Sequence, residues 1–397
     1  MNHLKNRITQ TLFSFLLSGA TSLSFGQIDL FNQAVKEIES LNRVKAEAIL
    51  VDILDKYPNY SPAHFQLGLI NLNFEKTTDA IFHFNKVIEL KSEDAQKAYF
   101  ELSKLKITED KNNEALSMLN EVIKNDEANS EAYFRRGQLK HKKGEYESAK
   151  NDFNRALLYN STNGIYHYDR ALTEIELNDY PSAIDDLSRV IEEFPELENA
   201  YFYRGYAYYQ EGLSPEFKSH KFLFEQSLAD YNKCIELDIE DETAFFNRGE
   251  VHMRLNQYLE AISDFKHAIL LDPNDKEAHY HKAMCNYKYG YEQEALKEFT
   301  DILKIDPNYA DALFQIGFIN QEYGNYNESL KAFDKLISIE EAHTDAYMYR
   351  GWTNYELKKL PEACADWKKA DQLGDKESHH DFHKYCSKVE LPVEEVK

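Results

Sequence analysis

Glycine and proline are scarce in this chain, at 14 and 9 of 397 residues, which argues against a turn-rich β fold. Basic residues fall short of acidic ones, 46 against 69, leaving a net charge of −23. That balance speaks against a nucleic-acid partner, since phosphate binding needs clustered Lys and Arg. No glycine-rich phosphate loop, nucleophile elbow or CxxC pair occurs in the sequence, so the usual signatures of nucleotide, acyl-transfer or dithiol chemistry are missing. Beyond the first 26 residues, no apolar run approaches the length of a membrane span, so the mature chain is not expected to be an integral membrane protein. What is plentiful is aromatic: 27 Tyr and 24 Phe in a chain that is 43% hydrophobic and 29% charged. This is the profile of a packed protein made of helices with aromatic contacts.

Residues 1–26 read as a secretory signal. Lys5 and Arg7 form a basic start, Leu12 to Leu17 begins a short apolar core, and Ser24-Phe25-Gly26 places small residues before Gln27. These three features together predict export and cleavage before Gln27. No cysteine follows the expected cut, so lipid attachment is not indicated. The expected location is the periplasm or the exterior.

The mature sequence repeats itself. Ten units start at residues 27, 61, 96, 130, 164, 198, 242, 276, 310 and 344; eight are 34 residues long, one 35 and one 44. Such a period is the mark of a repeat architecture. Position 8 of each unit is small (Ala34, Gly68, Ser103, Gly137, Ala171, Gly205, Gly249, Ala283, Gly317, Gly351), and so is position 20. Position 24 is large: Leu50, Phe84, Leu119, Phe153, Leu187, Tyr231, Phe265, Phe299, Phe333, Trp367. Small residues let two antiparallel helices approach, and the large one fills the neighbouring gap. Each unit is therefore a helix, a short turn often at glycine (Gly144, Gly290, Gly324) and a second helix, with Pro58, Pro195, Pro273 and Pro307 at the handover to the next.

On these columns residues 27–377 resemble the tetratricopeptide-repeat family. The resemblance implies an all-α, right-handed superhelical solenoid whose first helices line a concave groove. A helix over 378–388 is expected to cap the open end of the stack, because a final repeat cannot bury its own apolar side. Residues 389–397 read as an acidic tail. The unit at Glu198 carries about ten extra residues near 213–222; Phe217, Phe222 and Phe224 there either dock back onto a lengthened helix pair or face a partner.

One pair of columns is more specific to this chain. Position 7 is basic and position 23 acidic in the same units: Arg136 with Asp152, Arg170 with Asp186, Arg204 with Asp230, Arg248 with Asp264, Lys282 with Glu298, Arg350 with Asp366. Where position 7 is uncharged (Gln33, Leu67, Leu102, Ile316), position 23 carries no acid (Ile49, His83, Met118, Ala332). Charges that come and go together predict structural ion pairs within each repeat.

Of four cysteines, Cys234 and Cys285 fall on columns that read as buried. Cys364 lies on the last repeat and Cys386 near the end of the cap; a disulfide stapling the two, or a pair of free thiols, are both open. His379 and His383 stand i and i+4 on one helix face without a convincing third ligand, so no metal is expected. No catalytic residues and no cofactor are expected either.

The groove positions implied by the resemblance nominate Leu172, Ile175, Tyr206, Tyr209, Met253, Met284, Tyr287, Phe318, Trp352 and Tyr355 as a largely apolar strip in units from Gly164 onward. Lys104, Gln138, His141 and Lys142 make the earlier units more polar. Aromatic and Met side chains suit capture of a protein or peptide segment; the other reading is that they seal a tightly wound superhelix. An alternative is a glycan-binding accessory protein, with Tyr206, Tyr209, Trp352 and Tyr355 stacking on sugar rings. The carboxylate clamp of tetratricopeptide co-chaperones would need Asn at position 9, which no unit has. The expectation is a non-enzymatic interaction scaffold; the sequence does not fix its oligomeric state.

Overall fold

The computed structural model describes residues 25–215, 220–238 and 241–386. Most of the expected signal, Phe217 of the insertion, the last two residues expected in the cap and the 389–397 tail lie outside the described residues. The chain divides into two compact units, residues 1–173 and 174–397.

Among the described residues every regular element is a helix. In the first unit these are α1 (Phe25–Glu39), α2 (Arg43–Lys56), α3 (Ser61–Asn73), α4 (Thr77–Glu89), α5 (Ala95–Thr108), α6 (Asn112–Asn125), α7 (Ser130–Lys142) and α8 (Tyr146–Tyr159). Helix α9 (Gly164–Glu176) contains the division between units. The second unit continues with α10 (Tyr180–Glu193), α11 (Glu198–Leu213), α12 (His220–Leu237), α13 (Glu242–Arg254), α14 (Tyr258–Leu271), α15 (Lys276–Tyr289) and α16 (Glu292–Ile305). It ends with α17 (Ala310–Glu322), α18 (Tyr326–Ile339), α19 (Thr344–Glu356), α20 (Leu360–Gln372) and α21 (Lys376–Cys386). Odd-numbered helices up to α19 open repeats 1 to 10 and even-numbered ones close them; α21 follows the last. The fold is an all-α solenoid of helix hairpins.

The hairpins close where small residues meet rings. A Cβ built on Gly317 would lie 2.7 Å from Phe333, and one on Gly351 would lie 2.6 Å from the Trp367 indole. Phe84, Phe153, Phe265, Phe299, Phe333 and Trp367 are wholly buried. In repeat 6, Ser227 at the other small column donates to the Gly205 carbonyl at 2.7 Å, so that pair is sealed by a hydrogen bond as well as by Tyr231.

Nine of the hairpins, those of repeats 1 to 5 and 7 to 10, turn on one left-handed residue. Gly144, Gly290 and Gly324 take φ of 76°, 94° and 77°, as glycine allows at no steric cost. The same place in other repeats holds Leu41, Glu75, Asp110, Asn178, Asn256 and Lys358, at φ between 56° and 64°. These L-residues are held in an unfavourable region by the helices on either side. Helix starts are partly capped: Asn129, Asp179, Asp241 and Asp275 each accept a backbone N–H with their side chains.

The insertion lengthens both helices of the sixth hairpin: α11 has 16 residues and α12 has 18, against 13 to 15 in the other repeats. The extra turn reuses the glycine–ring device, since a Cβ on Gly212 would meet Phe224 at 2.7 Å. Phe224 is buried beside Tyr209, whereas Phe222 is exposed.

At the other end, α21 packs on α20. Tyr385 lies with Trp352, Tyr355 and Trp367 in a cluster of rings whose centroids are 5.1–6.1 Å apart. Cys364 and Cys386 are joined by a disulfide with Cα atoms 5.7 Å apart. Cys234 and Cys285 are free and buried, and burial pushes both thiols up to about 12. They behave as small apolar side chains, not as nucleophiles.

Because α17 and α18 approach over Gly317, the variant Gly317→Ala must displace the Phe333 ring. Thermal unfolding should show a loss of about 1–3 kcal/mol, the usual range for overpacking. An unchanged midpoint would mean the ring has room to move and that the close approach is not constrained.

Candidate functional site

The charged columns form a repeated contact. In repeats 4, 6, 7 and 10 the Arg Nε and Nη2 donate to both carboxylate oxygens of the paired Asp at 2.6–3.0 Å. In repeat 8, Lys282 meets Glu298 at 2.7 Å and His279 Nδ1 lies 3.1 Å from the same carboxylate. Asp152, Asp186, Asp230, Asp264 and Asp366 are all buried.

Each arginine has a further partner that the pairing of columns did not foresee. Its Nη1 donates to the closing helix of the preceding repeat: Arg136 to Asn120, Arg170 to Asn154, Arg204 to Ser188, Arg248 to Asn232 and Arg350 to Asp334, at 2.7–3.0 Å. The signal was available in the sequence as a polar residue sixteen places before every arginine of the column. The guanidinium also lies 5.4–5.9 Å from the centre of a ring three residues earlier, at Tyr133, Tyr201, Phe245 and Tyr347. One side chain thus ties two repeats together.

Burial pushes the carboxyls of Asp230 and Asp366 up, and their arginines act in the opposite direction. Burial likewise works against charge on Arg204 and Arg350, yet bonds to Asp230 and Asp366 hold both above the ordinary value. Desolvation and attraction therefore oppose each other within the same pair, which favours unique geometry over large net stability. In repeat 8 burial again opposes charge on Glu298, but His279 and Lys282 hold it low, and Glu298 raises His279.

The nominated groove residues divide into several environments. Leu172 lines a cavity of about 200 Å³ with Gln138, His141, Phe153 and Asp169. This cavity has a polar floor: Gln138 donates to Asp169 at 2.6 Å, and His141 Nδ1 is 2.9 Å from the Thr173 hydroxyl. Thr173 itself donates to the Asp169 carbonyl at 2.8 Å, so His141 must carry its proton on Nδ1. Burial pushes the Asp169 carboxyl up, against the bond from Gln138.

Ile175, Tyr206 and Met253 are half-buried. One expectation needs correction. Tyr209 is 6% exposed, packed on Phe224 with Arg254 Nε 3.4 Å from its hydroxyl, because the lengthened hairpin of repeat 6 covers it. Trp352 and Tyr355 are half-buried and pack in the ring cluster under α21, where they seat the cap.

What remains contiguous is on α15, α17 and α19. Met284, Tyr287 and Phe318 are half-buried and belong to one cluster. Phe318 meets Tyr287 edge-on at 6.4 Å and Tyr349 edge-on at 5.2 Å. The Tyr287 hydroxyl donates to Glu322, which fixes the ring; burial first and that carboxylate second push the phenol up.

Among the described residues no group of His, Cys, Asp and Glu is arranged to hold a metal. His379 and His383 have ring centres 4.5 Å apart, and His379 Nδ1 is 3.0 Å from Asp371. Among the same residues no helix is long and apolar enough to cross a membrane.

The hairpins and their columns define the class, a helical repeat scaffold. Models of the tetratricopeptide repeat match residues 61–94, 130–163, 168–217, 243–275 and 310–343. In those stretches the chain is similar to the tetratricopeptide-repeat family. A search of curated proteins returns no match. Among solved structures, the C-terminal part of a tetratricopeptide-repeat protein from Cytophaga hutchinsonii is 15% identical, covers 62% of this chain and 97% of its own, with a TM-score of 0.54. A tetratricopeptide-repeat protein from Parabacteroides merdae is 18% identical over 74% of this chain and 98% of its own, with a TM-score of 0.44. YrrB, described as having an unusual peptide-binding site, is 23% identical over 50% of this chain and 97% of its own, with a TM-score of 0.41.

Replacing Asp264 alone by Ala leaves the Arg248 guanidinium half-buried and without its bidentate partner. That variant should lose about 3–5 kcal/mol, whereas Arg248→Leu with Asp264→Leu should lose clearly less. Denaturant midpoints for the two variants decide it; equal losses would mean that the pair contributes attraction in excess of its desolvation.

Proposed function

We propose that this chain is an exported, non-enzymatic scaffold of the bacterial cell envelope that holds a protein or peptide segment along the opening helices of its later repeats. The observation that carries the reading is the strip of Met284, Tyr287 and Phe318, half-buried and packed edge to edge. Large side chains whose polar atoms are already tied down, as Tyr287 is by Glu322, offer contact area at small entropic cost. Ile175, Tyr206 and Met253 would extend that surface to other repeats of the second unit.

The glycan alternative is less well supported. Of its four rings, Tyr209 is buried and Trp352 and Tyr355 are half-buried against the cap, which leaves reduced ring area for stacking. Export is supported by the basic-apolar-small pattern of residues 1–26 and fits the Cys364–Cys386 bond, which persists in oxidising compartments.

Affinity capture from envelope extract of the producing organism tests the strip. A partner retained by the native chain should be lost by Tyr287→Ala with Phe318→Ala, at unchanged helicity. Equal retention by both would move binding off these helices. Chain recovered from the envelope fraction should begin at Gln27 and show Cys364 and Cys386 joined by mass spectrometry. Recovery from the cytoplasm with Met1 retained would overturn the location.

A further inference from the structure

We propose that a niche on the closing-helix side of repeat 9 docks a partner segment presenting one bulky apolar side chain next to one or two carboxylates. The site is distinct from the Met284–Phe318 strip and does not rest on it.

The niche exists because this repeat omits what the others place there. Repeat 7 fills the space with Phe245, Arg248 and Asp264, and repeat 10 fills it with Tyr347, Arg350 and Asp366. Repeats without the ion pair fill it in other ways. Repeat 3 has Leu102 with Met118 packed in the same cluster, and repeat 2 has His64 against His83, ring centres 5.2 Å apart. Repeat 9 has Leu313, Ile316 and Ala332 at these three positions. An aromatic ring, a guanidinium and a carboxylate are shortened together, and no longer side chain on α16 reaches across. The result is a cavity of about 460 Å³ between α16, α17 and α18, within the range of clefts that take small ligands or anchoring side chains, about 300–1,000 Å³.

Its walls are mainly apolar, from Leu296 and Leu303 as well as the three shortened residues, with Thr300 and Asn320 among them, and its rim carries two lysines and one carboxylate, Lys331, Lys335 and Glu328. Lys331 and Lys335 stand one turn apart on α18, both exposed. Lys331 lies 3.6 Å from Glu328, with the two side chains 77% and 57% exposed. An exposed pair of this kind holds its members weakly, so Lys331 is free to exchange Glu328 for a partner's carboxylate. The chain's net charge of −23 repels a long acidic tract. The complementary segment therefore carries few carboxylates and relies on its apolar anchor, the division of roles usual at interface hot spots.

The test is selection from a displayed random-peptide library on the purified chain, followed by affinity measurement of the enriched peptides on variants. The expected peptides carry an aromatic or large aliphatic residue with Asp or Glu close by. Ala332→Met, which copies the side chain of repeat 3, should weaken them at least tenfold, and Phe318→Ala should change them less than twofold. Lys331→Glu with Lys335→Glu should weaken them to a similar degree. It decides the matter if Ala332→Met alters helicity or the unfolding midpoint. Enrichment of no such peptides, or affinity indifferent to both niche variants, overturns the proposal. Competition by a synthetic peptide of residues 387–397, where Val389, Leu391 and Val393 alternate with Glu390 and Glu394, would assign the niche to the chain's own C-terminal segment and overturn it as well.

Discussion

The separation between the two helices of a repeat controls everything built on it. A ring at the closing helix sits on a bare or nearly bare backbone at the opening helix, as Phe333 does on Gly317 and Trp367 on Gly351. Interiors are packed to crystal-like density and transmit small changes in volume. That contact therefore fixes where the neighbouring columns point: the arginines toward the closing helices, and Met284, Tyr287 and Phe318 to the other side of the opening helices. The device is robust enough to be reused within one hairpin, where Gly212 and Phe224 extend repeat 6 by a turn.

The buried arginines follow from this spacing. A guanidinium is planar and offers donors in a fixed fork, so it can satisfy an Asp of its own repeat bidentately and still reach back to the previous one. Each thereby checks two alignments at once, within the hairpin and between hairpins. Since burial opposes the charges that the pairing favours, the gain lies in register more than in free energy. Repeat 9 shows what happens when the check is omitted and nothing of similar size replaces it: the space remains open between α16 and α18.

The helix pairs were legible in the sequence because a signal too weak for one hairpin is repeated along the array. Arg248 with Asp264 could be read the same way, as two columns that change together. Other features were hidden for physical reasons. Left-handed residues at Leu41, Glu75 and Lys358 follow no composition rule, since tertiary packing there overrides the preference for glycine. The reach of Arg350 to Asp334 crosses a repeat boundary and disappears when each unit is read alone. Trp352 and Tyr355 occupy groove columns, but the chain that follows supplies Tyr385 to cover them. A periodic reading treats the last repeat like the others and misses what its neighbour does.

Where function can sit follows from how the repeats depart from one another. Columns that set the spacing cannot vary without cost, so they carry no information about a partner. The faces they leave over do vary: a polar floor of Gln138, His141 and Asp169 in the first unit, Met and aromatic side chains on α15 and α17 in the second. A shared fold does not choose between these chemistries. It holds each on a rigid helix, with the surrounding rings and ion pairs already formed. A partner that binds there meets side chains whose ordering cost has been met in folding, which is the physical advantage of placing recognition on a solenoid and not on loops.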